Sequence, residues 1–326
     1  MKRVLSGMRP TGRLHIGHYF GALKNWVKLQ DEHECFYFVA DWHALTTNYE
    51  NPEDIIELRR ELLLDWLSVG LSPDKCTMFV QSKNIYHAEL NLLLSMITPV
   101  GWLERCPTYK ELKQEVSDKD LSNLGFLGYP VLQTADIVMY SADFVPVGVD
   151  QMPHLEISRE VVRRFHHLYS TDVFVEPKGL LTETPKIPGL DGRKMSKSYG
   201  NAITLSEDLK EVETKLKRMK TDTNRMRKTD PGNPEICPVF DYHKVFSTEE
   251  ERGYITEGCT TAGIGCMECK KILIKHVMEL LEPIQDRRKH YEAEISNADE
   301  FLAESQKRAN DEAAAMMERV RSAIRI

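Results

Sequence analysis

No run of about 18 consecutive apolar residues occurs in the chain, so no helix spanning a bilayer is expected. A basic excess is also missing. Against 43 Lys and Arg stand 50 Asp and Glu, a net charge of −7. Nucleic-acid binders usually carry an overall positive field. DNA is therefore not an expected partner, and any RNA contact must use a local patch. The opening MKRVLSGMRP has neither the long apolar segment nor the cleavage site of a secretory signal. The expectation is a cytoplasmic protein with reduced thiols. Cysteine is scarce at seven residues, an odd count, and four of the seven cluster late. In a reducing compartment such a cluster suggests metal before disulfides. Internal repeats and low-complexity tracts are absent.

What is present suits a globular protein of two domains, or one large domain with an appendage: 326 residues, 41% hydrophobic and 29% charged. RVLS (3–6) reads as a short strand ending at Gly7. Helical spacing follows from Gly17 to Gln30. CFYFVAD (35–41) is a continuous apolar run, the signature of a buried parallel strand. Pro52 opens a helix through Leu67 with Asn51 as its N-cap. TMFVQ (77–81) and FVPVG (144–148) are further strands. Helices fill the interval to about Met139 and the stretch from Gln151 to His167. Alternating strands and helices predict an α/β fold, a Rossmann-type doubly wound parallel sheet. Beyond about residue 200 the apolar spacing is helical almost throughout, at 206–220, 248–257, 263–281 and 286–322. The expected division is a catalytic domain over 1–200 and an all-helical domain over 201–326.

Two short stretches carry chemistry. TGRLHIGHYFGAL (11–23) puts His15 and His18 at i and i+3 on one face of a helix start. A helix N-terminus offers free N–H groups and partial positive charge, which suit phosphate. Gly7, Gly12 and Gly17 allow close approach. The plain alternative is a pair of half-exposed histidines without a role. DGRKMSKSYGN (191–201) places Lys194 and Lys197 three apart in a loop with glycines and serines. Mobile lysines suit a departing polyphosphate, although a solvated basic loop is the commoner fate of such a run.

HIGH near residue 15 and KMSKS near residue 195, in that order around an α/β segment, are the paired motifs of class I aminoacyl-tRNA synthetases, and this chain resembles them letter for letter. SGMRPTGRLHIGHYFGAL, VADWHALT (39–46), LGYPVLQTADIVMY (127–140) and VPVGVDQMPHLEISREV (145–161) resemble the bacterial tryptophanyl branch, from residue 3 to the C-terminus. That resemblance implies ATP with Mg2+, L-tryptophan and tRNA(Trp). His15, His18, Lys194 and Lys197 become the catalytic set. Met8, Arg9, Thr11, Gly17, His18, Gly148, Asp150, Lys194, Met195, Ser196, Lys197 and Ser198 would meet ATP, with Ser196 and Ser198 ordering the lysine loop. Gly7, His43, Tyr129, Asp136 and Gln151 would meet the amino acid. Many relatives carry glutamine where Arg9 stands. Asp136 would accept the indole N–H; a carboxylate in so apolar a stretch needs a donor, and an N-cap or an internal salt bridge is the other way to supply one. A homodimer joined through about 85–140 and an anticodon-reading helical domain are also implied. Tyrosyl-tRNA synthetase is the nearest sibling; an HxGH nucleotidyltransferase and a regulatory RNA-binding relative without aminoacylation are more distant alternatives.

Cys237, Cys259, Cys266 and Cys269 give C-x21-C-x6-C-x2-C. Structural zinc usually shows two close pairs, and only Cys266 and Cys269 form one. A [4Fe–4S] cluster tolerates the irregular spacing, and Cys237-Pro238 matches the Cys-Pro that ends many cluster motifs. A subset of the resembled family carries such a cluster. Zinc and free thiols remain alternatives. Cys35, Cys76 and Cys106 lie in or beside apolar segments and read as packing residues. Lys215, Lys217, Arg218, Lys220, Arg225, Arg227 and Lys228 form a basic stretch suited to an RNA backbone, and Lys270, Lys271, Lys275, Arg287, Arg288 and Lys289 extend it.

Overall fold

A computed structural model describes residues 1–50, 52, 54–107, 123–181 and 187–326. Five parallel strands form one sheet in the order β3-β2-β1-β4-β5: β1 Arg3–Met8, β2 Glu34–Val39, β3 Cys76–Val80, β4 Phe144–Val147 and β5 Lys178–Leu181. The chain winds outward from β1 through β2 to β3, then returns to lay β4 on the other side of β1. Strand order therefore reverses between β1 and β4, and the crevice beyond their carboxyl ends is where a doubly wound sheet binds ligands.

The first strand runs through Gly7 to Met8 rather than stopping at Gly7. A Cβ on Gly7 would stand 2.4–2.7 Å from the Phe38 ring of the neighbouring strand, so glycine is what lets β1 continue there. The apolar run after β2 ends earlier than its pattern suggested, because Ala40 turns the chain into α2, Asp41–Asn48. Ile16–His18 is one α-turn, Tyr19–Leu23 is a π-helical turn, and α1 follows as Lys24–Glu32. The helix expected from Pro52 is α3, Ile55–Ser68, with Asp54 at its N-cap position; Asn51 lies outside the described residues. Then come α4, Tyr86–Ser95, α5, Val100–Glu104, α6, Leu124–Met139, and α7, Met152–Tyr169. β5 was not legible, since KGLL is short and only half covered.

Residues 201–326 are helical: α8, Leu209–Arg218, α9, Pro238–Phe246, α10, Glu249–Thr260, α11, Cys266–Glu294, and α12, Ala303–Ile324. Pro283 lies inside the 29-residue α11 without ending it, where the sequence pattern suggested two helices. α9 was missed, its nine residues too short for a firm period. α12 returns to the sheet. Ser305 Oγ accepts the Met78 N–H at 2.7 Å, and Gln306 Oε1 accepts that of Val80 at 2.8 Å. Side chains thus satisfy the outer edge of β3 and close it to strand pairing.

The core lies on both faces of the sheet. On one face Trp26 stacks on Tyr37 at 4.4 Å and meets Trp66 edge-on at 5.5 Å. Each fully buried aromatic of this kind contributes roughly 1.5–3 kcal/mol. Cys35, Cys76 and Cys106 are buried, as their apolar surroundings indicated.

Candidate active site

A cavity of about 560 Å³ opens at the strand-order reversal. Of the sequence-nominated residues it is lined by Gly7, Met8, Arg9, His43, Tyr129, Asp136, Gly148, Gln151 and Lys194. It runs from exposed Lys194 to Asp136, which is 1% exposed. The remaining motif residues gather beside it. Lys197 Nζ donates to the Thr11 carbonyl at 2.9 Å, so the lysine loop is docked on the histidine loop. Gly12 adopts φ +109°, and a Cβ there would stand 2.7 Å from Lys197 Nζ. Buried Met195 packs toward Gly17, and His15 bridges to Thr204 in antiparallel fashion. Of the side chain of Asp150 nothing is described.

The two motif histidines have ring centroids 3.7 Å apart. The His15 backbone N–H donates to His18 Nδ1 at 3.2 Å, which leaves the His18 proton on Nε2, free to donate. His15 Nδ1 is buried without a partner. Burial lowers His15 to about 4 and His18 to about 3, with the Lys197 charge, and for His18 also His15, pushing the same way. Both imidazoles are neutral donors at physiological pH. Partial burial lowers the Lys197 ammonium as well, and Asp65 opposes that shift.

Ser196 and Ser198 were expected to order the lysine loop. The bonds that do so come from Asn201, which sequence reasoning missed. Its Oδ1 accepts the Ser196 N–H at 2.8 Å, and its Nδ2 donates to Asp191 Oδ1 and to the Lys194 carbonyl. Asn201 stands three residues after Ser198, the last of KMSKS, and is 3% exposed.

At the buried end of the cavity, Asp136 Oδ2 lies 2.7 Å from His43 Nε2, and Oδ1 lies 2.6 Å from His87 Nδ1. Gln81 Nε2 donates to both oxygens, at 2.8 and 2.9 Å. Although burial raises a carboxylate, the donors of His43 and His87 hold Asp136 below its usual value. The Tyr129 hydroxyl bonds His154 Nε2, and His154 Nδ1 lies 2.9 Å from Gln151 Oε1. His154 and Asn25 also line the cavity; neither stood out in the sequence, because a single polar residue on a helix carries no pattern.

The four late cysteines converge from three helix ends. Cys237 caps α9, Cys259 lies near the end of α10, and Cys266 and Cys269 open α11. Burial, then the nearby Cys237, Cys259 and Cys266, push the Cys269 thiol up to about 12. Cys269 Sγ lies 3.2 Å from His243 Nε2, and Arg225 Nη1 is 4.0 Å from Cys259 Sγ. A Cβ on Gly232 would stand 2.6 Å from Cys259 Sγ, so the chain wraps closely here. The donors match an iron–sulfur or zinc centre in kind. Their present spacing does not: among the described residues no group of three or more His, Cys, Asp or Glu is arranged to hold a metal ion.

The basic stretch is only partly a surface. Lys217, Arg218, Lys220, Arg227 and Lys228 are exposed. Lys270 is buried, with Nζ on the carbonyls of Lys217 and Met219, and Arg288 is buried too, which removes both from the expected RNA face. Among the described residues no helix is long and apolar enough to cross a membrane.

The model of class I tRNA synthetases for W and Y matches residues 1–282. A tryptophan–tRNA ligase of Thermotoga maritima is 54% identical over 326 residues, covering 99% of both chains. One of Aquifex aeolicus is 46% identical over 394 residues, covering 99% of this chain and all of the relative. A tryptophanyl-tRNA synthetase of Campylobacter jejuni, solved with ADP and tryptophan, superposes with a TM-score of 0.88 at 30% identity, over 99% of this chain and 100% of that one. With both motifs docked on each other beside a cavity that ends in a buried carboxylate, the chain belongs to the class I tryptophanyl-tRNA synthetases of bacteria.

Proposed function

We propose the following assignment of roles in tryptophan activation and transfer. The buried Asp136 carboxylate at the end of the cavity carries the reading: among the described residues it is the charged acceptor that lines the cavity, positioned for an indole N–H. A site that bonds a substrate N–H rejects analogues lacking it by about 10⁴–10⁵. Tyr129 and Gln151 hold the ammonium and carboxylate of the amino acid, with His43 beside the ring. Met8, Arg9, Thr11, Gly17, Gly148 and Asp150 surround the nucleotide.

A tryptophan carboxylate oxygen attacks the α-phosphorus of ATP, and the bond to the β-phosphate oxygen breaks. Pyrophosphate leaves with that electron pair. Such transfers depend on positioning and charge stabilisation. His18 donates through Nε2 to the phosphate oxygens, and neutral His15 lies beside it. Lys194 and Lys197 neutralise the departing pyrophosphate. Among the described residues Asp136 is the carboxylate that lines the cavity, at its buried end. Mg2+ bound with ATP would offset phosphate charge. The terminal 2′-hydroxyl of tRNA(Trp) then attacks the adenylate carbonyl, and AMP leaves. Amino-acid-dependent exchange of labelled pyrophosphate into ATP, run with each of the twenty amino acids, tests the assignment. Tryptophan alone is expected to support exchange; exchange with tyrosine would overturn the role of Asp136.

Residues 201–326 would then form the tRNA-reading domain, supported by exposed Lys217, Arg218, Lys220, Arg227 and Lys228. A [4Fe–4S] cluster held by Cys237, Cys259, Cys266 and Cys269 would need the thiols in another arrangement than the present one; it is supported by their convergence from three helix ends, with Arg225 beside Cys259, and zinc is the other candidate. A homodimer through 85–140 is supported by exposed Ile85, Leu92, Met96, Val100 and Leu124, apolar side chains that a partner would cover. Part of that segment, 108–122, lies outside the described residues.

A further inference from the structure

Behind Asp136 runs a chain of hydrogen bonds whose direction, for a neutral His87, follows from one backbone donor. The Tyr86 backbone N–H donates to Asn84 Oδ1 at 3.2 Å, which sets the orientation of that amide. Asn84 Nδ2 therefore faces the Tyr140 hydroxyl and donates to it at 3.1 Å. The Tyr140 proton must then go elsewhere, and His87 Nε2 stands 2.8 Å away. With Nε2 accepting, the imidazole proton sits on Nδ1 and is donated to Asp136 Oδ1 at 2.6 Å. Asn84, His87, Asp136 and Tyr140 are all at most 2% exposed. The rings of Phe38 and Phe79 lie 6.3 and 5.9 Å from that of His87. No water is needed to complete the chain, and in such apolar surroundings a reversed tautomer would leave Asp136 facing a bare nitrogen lone pair.

His87, Asn84 and Tyr140 do not line the cavity; Asp136 and His43 do. A carboxylate offers about four acceptor positions. His87 and Gln81 reach Oδ1, and His43 and Gln81 reach Oδ2, so protein donors engage both oxygens; of these donors His43 alone lines the cavity among the described residues, and an indole N–H entering there meets the carboxylate on the His43 side. We infer that His87, its proton fixed on Nδ1 by Tyr140 and Asn84, is a positioning residue for amino-acid selection, holding the Asp136 carboxylate through Oδ1 while Oδ2 keeps the side of His43, the donor that lines the cavity. The inference rests on the reading that Asp136 accepts the indole N–H. His87 lies in α4 and Tyr140 at the end of α6, so the packing of these two helices enters directly into specificity.

The experiment compares tryptophan with its benzothiophene analogue, in which sulfur replaces the indole N–H, by pyrophosphate exchange on the full-length protein. The quantity read is the ratio of the two kcat/KM values. Wild type is expected to favour tryptophan strongly, and Asp136→Ala to abolish that preference. Tyr140→Phe keeps the ring and removes the hydroxyl that fixes the tautomer; it is expected to lower the ratio about tenfold or more, the effect of a misdirected charged hydrogen bond. KM for ATP should not change. His87→Leu should lower the ratio further. His87→Asn, whose amide nitrogen can replace Nδ1, should restore most of it. A ratio unchanged in Tyr140→Phe and in folded His87→Leu, while Asp136→Ala still collapses it, overturns the inference alone. A wild-type ratio near one overturns the reading of Asp136 and the inference together.

Discussion

Arg288, in the second half of α11, places Nη1 2.5 Å from Asp65 Oδ1 in α3, and the other oxygen of Asp65 receives the Leu14 backbone N–H at 2.7 Å. One buried carboxylate thus joins the C-terminal helices to the residue preceding His15. Arg288 also donates to Glu61, and Glu61 accepts from Arg13 of the same loop. Removing one partner of such a pair leaves a buried charge without compensation, at a cost of about 3–5 kcal/mol. Arg288→Ala is therefore expected to lower the denaturant midpoint by that equivalent, with Arg288→Lys between it and wild type. A midpoint equal to that of wild type would show the ion pair to be incidental.

The contact of Lys197 with Thr11 makes a kinetic prediction. The lysine is already held beside the histidine loop, so its charge needs little movement to meet a leaving pyrophosphate. Lys197→Ala should reduce kcat of pyrophosphate exchange by about 10²–10³, the usual loss for one transition-state donor, with little change in KM for tryptophan. His18→Ala should behave alike. If KM for ATP rises while kcat holds, the lysine binds the ground state and transition state equally, and its catalytic role is wrong.

Legibility followed periodicity and motif density. β2 and β3 were readable because buried parallel strands are uninterrupted apolar runs, and the histidine and lysine motifs were readable because their letters are dense and ordered. α9 and β5 were not, since nine and four residues hold too little period against half-exposed surroundings. Asp136 stood out as a carboxylate in an apolar helix, but its partners His87 and Gln81 come from a different part of the chain, and nothing local marks them. Arg288 and Lys270 read as surface cations; the buried carbonyls and carboxylates they meet lie 51 or more residues away, beyond any local pattern.

The cysteine site predicts a composition. Protein purified without oxygen should contain about four iron and about four acid-labile sulfide per chain if the centre is a [4Fe–4S] cluster. Cys269→Ser should lose both, and should impair aminoacylation of tRNA more than pyrophosphate exchange, whose residues lie before residue 201. One zinc and no sulfide would assign the other metal. Absence of both, with activity intact, would leave four free thiols.

The histidine pair predicts how stability varies with pH. Folded His15 and His18 titrate at about 4 and about 3, below the 6.5 of an unperturbed imidazole, because they are buried and lie beside Lys197. As pH falls the unfolded chain takes up these protons first. The stabilising contribution of the two neutral imidazoles is therefore complete above pH 6.5 and is lost progressively between 6.5 and the folded values. Burial raises Asp65 to about 6, a shift of opposite sign in an overlapping window, so the total slope mixes both. The difference between wild type and His15→Gln/His18→Gln isolates the imidazoles. From about pH 7 to about pH 5 the denaturant midpoint of wild type should fall further than that of the double variant. Equal falls would mean that both rings titrate in the folded protein as they do in the unfolded chain, and that burial beside Lys197 does not hold them neutral.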